Sequence, residues 1–178
     1  MSLPDRPLPK LLDLFYDDPS VCGRFDAVTG RDVPTAYRRM LVHEEHMTVA
    51  MEAHHESMVD VDVLEEHKAE DTYARKILLR REKDRAVVQF GLLCVNLALL
   101  EDAVRDEILE QRRPLGRILV RHNVMRSVSL IGLWHVTMEA ELKTYFSPTE
   151  AQATFGRTAS IELDGKKAVE VLEIVAPE

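Results

Sequence analysis

Residues 154–177, TFGRTASIELDGKKAVEVLEIVAP, constrain the fold more than any other stretch of this chain. Two alternating runs are joined by Asp164-Gly165, a dipeptide that favours the two-residue turns whose twist matches that of paired strands. Strand side chains alternate with period two, so Val169, Val171, Glu173 and Val175 share one face of the second run. Phe155, Arg157, Ala159 and Ile161 share a face of the first. A carboxylate among valines and a guanidinium in an apolar row are misfits, because charged side chains are seldom buried without a partner. Either these faces are wet, or the two charges form a structural pair, or they line a polar pocket. The residues alone leave all three readings open.

The rest of the chain supplies what such a hairpin needs around it. LPKLLDLFY (8–16) reads as a short helix with Leu11, Leu12 and Phe15 on one side, and 26–32, with Gly30 within it, reads as a loop. Pro34 suits the first turn of a second helix that turns Tyr37, Met40 and Leu41 inward. From Met47 the period changes to two: MTVAMEAHH puts Met47, Val49, Met51 and Ala53 on one strand face. Val59, Val61 and Val63 alternate in the next strand, and 66–71 is a polar turn. TYARKILLRR then aligns Tyr73, Arg75, Ile77 and Leu79, and AVVQFGLLCVNL is apolar on both faces, as in a central strand. Gly91 inside it marks a close approach of backbone or ligand. Helices follow at 101–110 and, from Pro114, over PLGRILVRHN. A strand over 124–136 and a helical turn over 139–146 lead into the hairpin. The pattern predicts an α+β protein with a single antiparallel sheet and helices packed on one face. No composition break divides it, so one domain is expected over 1–178, with a helical lead-in (1–40) and a core (41–178).

Charge and composition exclude several classes. A formal net charge of −8 speaks against a nucleic-acid backbone as partner. Cys22 and Cys94 are too few and too far apart for a disulfide framework or a zinc ribbon. Residues 1–10 lack the apolar region of a signal peptide, and the longest apolar run, 91–100, is too short to span a membrane. A cytoplasmic protein without a membrane partner is the expectation. His43, His46, His54 and His55 form a cluster in sequence, but on a strand His54 and His55 point to opposite faces, so no metal is expected. Ser127, Ser129 and His135 lack an elbow motif or an evident acid for a hydrolase triad.

Arg75, between Tyr73 and Ile77, joins Arg157 and Glu173 as a third charged residue on an apolar strand face. Guanidinium groups bind carboxylates in bidentate fashion, and a buried glutamate can exchange hydrogen bonds with a hydroxyl. Four pieces, in order, resemble the chorismate pyruvate-lyase family, which makes 4-hydroxybenzoate. They are Met47-Thr48, then TYARKILL, then PLGRIL (114–119), then the hairpin from Phe155 to Pro177. The resemblance runs from about Leu41 to Pro177 and implies a chorismate lyase-like fold. It puts the family's ligand-binding arginine at Arg75, its pocket leucine at Leu115 and its glutamate at Glu173. The chain departs from the family in having Leu92 after Gly91, where an arginine is often found.

The implied activity is a cofactor-free elimination of pyruvate from chorismate, or a close analogue, driven by aromatisation of the ring. It needs no metal, nucleotide or covalent nucleophile, only a dianion held in a reactive pose. Arg75 would clamp the ring carboxylate and Glu173 would face the oxygen at the other end, as the catalytic pair. Met47, Gly91 and Leu115 would shape the wall, and Arg157 would take the second carboxylate. The alternative is a non-catalytic protein that holds a small aromatic carboxylate in the same pocket. The fold also serves as the sensing domain of some transcription regulators, although no helix-turn-helix precedes the sheet in this sequence.

Overall fold

A computed structural model describes residues 7–124 and 126–178. The first six residues, part of the stretch read as lacking a signal peptide, lie outside the described residues, as does Met125. The described elements run α1 (Pro7–Asp13), β1 (Gly23–Val28), α2 (Thr35–Leu41), α3 (Met47–His55), β2 (Val59–Ala69), β3 (Thr72–Arg81) and β4 (Val87–Asn96). They continue with α4 (Asp102–Leu109), α5 (Leu115–Arg121), β5 (Arg126–Met138), α6 (Ala140–Tyr145), β6 (Ala153–Leu163) and β7 (Lys166–Val175).

The protein is α+β, with one seven-stranded sheet in the order β1-β5-β6-β7-β4-β3-β2. Every neighbouring pair in it is antiparallel. The hairpin that opened the argument is β6–β7, and it lies mid-sheet. Its turn residues Asp164 and Gly165 have φ of 51° and 76°, the left-handed values that the Asp-Gly dipeptide tolerates. β4, expected to be central, lies between β7 and β3. Both its faces are covered, Leu93 and Val95 by one hydrophobic cluster and Phe90, Leu92 and Cys94 by the other.

Those two clusters divide the helices. α2, α3, α4 and α5 pack over the face that carries Tyr73, Leu93, Val171 and Ala159. The other two, α1 and α6, cover the opposite face through Leu8, Leu11, Leu12, Leu142 and Phe146. Strands with apolar residues on both sides need covering on both sides, which a set of helices on one face does not provide.

Two local expectations are corrected. Residues 47–55 form a helix, not a strand. Met47, Ala50 and Met51 satisfy the helical spacing as well as Met47, Val49 and Met51 satisfy the strand spacing, and over nine residues the two periods compete. The burial decides it: Met47, Thr48 and Met51 are buried whereas Val49 is 46% exposed. Residues 23–28, partly assigned to a loop, form the edge strand β1, paired with β5 from Gly23–Met138 to Val28–Leu133. Its alternation is hidden because an edge strand tolerates charge: Arg24 and Asp26 face solvent and pair with each other.

Candidate functional site

Antiparallel register lays the misfit residues out as rows across the helix-covered face. One row runs Ile77–Gly91–Glu173–Arg157, from β3 through β4 and β7 to β6. The next, one side-chain repeat along, runs Arg75–Leu93–Val171–Ala159. On the other side of the first lies Leu79–Gln89–Val175. Strand spacing and rise put the Arg75 and Glu173 backbones about 12 Å apart, with Leu93 and Gly91 between. Gly91 makes room for a neighbouring side chain in this floor: a Cβ there would come within 3.1 Å of Ile77 Cγ1, which packs over the glycine.

A cavity of about 40 Å³ lies over the floor. Met47 and Thr48 of α3 and Leu115 of α5 roof it, while Ile77, Gln89 and Glu173 line it from the sheet. An engineered cavity that takes up benzene measures about 150 Å³, so an aromatic ring enters here only if α3, α5 or the roof side chains give way. Arg75 does not line this space; it shares its strand face with Ile77 and its register position with Leu93, both of which do.

The two buried arginines differ in what satisfies them. Arg157, 1% exposed, donates from Nε to Glu173 Oε2 at 2.7 Å. Its Nη1 donates to the His43 carbonyl at 3.0 Å and lies 3.2 Å from His43 Nδ1, and its Nη2 donates to the Glu45 carbonyl at 2.9 Å. Arg157 is therefore a clamp that ties the 43–46 connection to Glu173 and the sheet. Arg75 is 0% exposed, and none of its three guanidinium nitrogens has a hydrogen-bond partner among the described residues. Burial pulls its pKa down from the ordinary arginine range, while Tyr73 acts in the opposite sense. The Tyr73 hydroxyl is itself engaged as acceptor, from Gln111 Nε2 at 3.2 Å.

Three further residues belong to the site. Gln89, 2% exposed, lines the cavity with an unpartnered amide oxygen. The misfit test that singles out Arg75 applies equally to a glutamine in AVVQFGLL, so this residue was legible and passed over. His46 also lines the cavity, and its Nε2 accepts from Arg126 Nε at 2.7 Å. Burial, then Arg126 and Arg157, push its pKa down to about 4, so the ring is neutral at neutral pH. His43 is lowered too, by burial and Arg157. Its Nε2 donates to the Met40 carbonyl and its Nδ1 accepts, which suits the Arg157 contact. No local pattern marks these histidines, because the arginines they meet are 80 or more residues away.

The site thus brings together Met47, Leu115 and Glu173 around the cavity; Gly91, under Ile77, and Arg75 share the sheet face without lining it, and Arg157 backs Glu173 from behind. His54 and His55, expected on opposite faces, are adjacent at the end of a helix and lie elsewhere. No helix among the described residues is long and apolar enough to cross a membrane.

The sequence matches no family model, and no curated protein matches it. Among solved structures the chain is similar to one described as a "possible transcriptional regulator", YydK from Bacillus subtilis subsp. subtilis str. 168. Identity is 9% and the TM-score 0.46, over 66% of this chain and 57% of that one. A likeness at this level carries no argument about function.

Proposed function

We propose that the protein binds a small aromatic or cyclohexadiene carboxylate between the sheet and α3/α5, with the carboxylate on Arg75. The observation that carries this reading is the guanidinium itself. A buried cation with no carboxylate partner among the described residues, and with the Tyr73 hydroxyl alone favouring its charge, is strongly unfavourable, and a bidentate carboxylate would supply two acceptors. The floor between Arg75 and Glu173 is apolar at Leu93 and at Ile77, which packs over Gly91, so a flat ring is admitted as Ile77 and the roof side chains move aside. Glu173, with one oxygen on Arg157, and the Gln89 amide offer hydrogen bonds at the far end of such a ring.

The finer reading is a cofactor-free lyase acting on chorismate or a close analogue. In it the enolpyruvyl ether bond breaks, the ring loses a proton and becomes aromatic, and the released enolpyruvate takes up a proton to give pyruvate. The family resemblance at Arg75, Leu115 and Glu173 supports it. The pairing of Arg157 weighs against it: chorismate carries a second carboxylate, and the cation proposed for it already serves Glu173, His43 and Glu45. The geometry therefore favours holding a monocarboxylate over turning over a dianion. Calorimetric titration with 4-hydroxybenzoate, beside incubation with chorismate and quantitation of 4-hydroxybenzoate and pyruvate, decides between the two. Binding without product establishes the first, product establishes the second, and neither binding nor product refutes both.

A further inference from the structure

Away from the cavity, α3 ends on two adjacent histidines that meet a carboxylate from the far end of the chain. The ligand atoms of His54, His55 and Glu178 lie within 4.8 Å of one another. His54 Nε2 is 2.8 Å from Glu178 Oε1, and the two imidazoles stand at 90° with centroids 4.8 Å apart. Glu178 is anchored here, since its backbone N–H donates to the Tyr37 hydroxyl at 2.8 Å. We propose that His54, His55 and Glu178 form a binding site for a divalent transition-metal ion of the zinc class.

Comparison with other histidine–carboxylate pairs sets this one apart. Glu65 beside His67 also carries Lys76, Glu107 beside His122 carries Arg113 and Arg121, and Asp26 beside His135 carries Arg24. In each of these a protein cation already occupies the carboxylate. Glu178 pairs with no lysine or arginine among the described residues, and it has a second imidazole instead. Two cations act on His55: Arg81, which makes two hydrogen bonds to Asp84, and Lys83, whose Nζ donates to the His55 backbone carbonyl at 2.7 Å rather than to Glu178. Both still add positive potential, which makes this a modest rather than a tight site.

Three general effects favour a cation here. The last turn of a helix presents unpaired carbonyls and the negative end of its dipole. Metal ligands must be deprotonated, and imidazole and carboxylate groups give up their protons at or below neutral pH. Two imidazoles with one carboxylate suit Zn²⁺ far better than Mg²⁺ or Ca²⁺, which prefer all-oxygen shells. Zinc bonds of about 2.0–2.1 Å set tetrahedral ligand atoms about 3.3 Å apart, so the 2.8 Å His54–Glu178 contact must widen while separations that reach up to 4.8 Å close, leaving the fourth position to water. A bound ion ties α3, which carries Met47 and Thr48 over the cavity, to the segment that follows β7 and Glu173.

The test is calorimetric titration of the metal-stripped full chain with ZnCl₂, and in parallel with MgCl₂. One zinc site is expected, with no magnesium heat. Loss of even a residue that only supports a metal ligand typically weakens binding by 10–100-fold, so His54→Gln and His55→Gln should each weaken zinc by at least about tenfold. His122→Gln should leave it unchanged. Zinc should also raise the melting temperature of wild type but not of the His54→Gln/His55→Gln double variant, whose fold is checked by circular dichroism. The proposal is overturned if wild type takes up no zinc, or if the double variant binds it as wild type does.

Discussion

Replacing Arg75 by methionine should make the empty protein more stable and the ligand-binding protein useless. Methionine keeps most of the side-chain volume and removes the charge. Exchanging buried ion pairs for apolar residues is neutral or stabilising by about 1–4 kcal/mol, and those exchanges sacrifice a partner's attraction. Arg75 has no such partner among the described residues beyond the influence of Tyr73, so a gain of about 2 kcal/mol is expected. For a chain of this size that corresponds to a rise of about 4–8 °C in melting temperature. A ligand at one hundred times its dissociation constant stabilises the native state by about 2.7 kcal/mol. Saturating 4-hydroxybenzoate should therefore lift wild type above the variant while leaving the variant unmoved. Thermal and urea unfolding with and without the ligand, followed by circular dichroism, read both effects. A variant destabilised by about 3–5 kcal/mol would mean that Arg75 is a structural charge whose partner was removed, and the anion-site argument would fail.

Three other perturbations follow from the same contacts. Arg157→Met should do the opposite of Arg75→Met: it strands Glu173 and removes donors from the His43 and Glu45 carbonyls, costing about 3–5 kcal/mol, seen as a fall of at least about 6 °C in melting temperature. Gln89→Leu should be neutral or stabilising by about 1 kcal/mol, because it deletes an unsatisfied buried amide oxygen. The same change should erase any preference for 4-hydroxybenzoate over benzoate in competitive titration, and an unchanged preference would remove Gln89 from the site. His46 has a folded pKa of about 4, so between pH 6.5 and 4 the unfolded chain binds the extra proton and stability falls as the pH is lowered. The loss attributable to His46 is on the order of 2–3 kcal/mol. Urea unfolding at pH 4.5 and 7 measures it, and His46→Gln, which can still accept from Arg126, should show a smaller difference.

What the sequence made legible was whatever depends on short range. The Asp164-Gly165 turn, the alternation of β3 and β4, and the proline-led starts of α2 and α5 are each written within a dozen residues. The pairing of Arg157 with Glu173 was not: the two-residue turn alone would set Arg157 opposite Leu172, and the register shift between Ile161 and Glu162 brings it opposite Glu173. Residues 47–55 failed because two periods fit nine residues equally well, and only the burial of Thr48 and exposure of Val49 separate them. With that misreading went the placement of His54 and His55, since a strand separates neighbours that a helix end gathers. β1 failed because edge strands need no apolar alternation. Partners such as Arg126 for His46 could not be read at all, because they depend on how α3 and β5 meet.

The deeper ambiguity lay in letters that mean two things. Arg75 and Arg157 stand on the same sheet face, in adjacent rows, equally buried, and nothing local distinguishes them. Their fates are set by what crosses above. The 43–46 connection turns two carbonyls and a neutral imidazole nitrogen toward Arg157, and Glu173 adds a carboxylate, so every guanidinium nitrogen finds an acceptor. Near Arg75 the turn after α4 brings Gln111, whose amide nitrogen is itself a donor, directed at the Tyr73 hydroxyl and at Glu66. A donor cannot satisfy a donor. The folded chain thus saturates one arginine and leaves the other short of acceptors, and that asymmetry, rather than the presence of arginine on an apolar strand, is what distinguishes a structural ion pair from a place for a ligand.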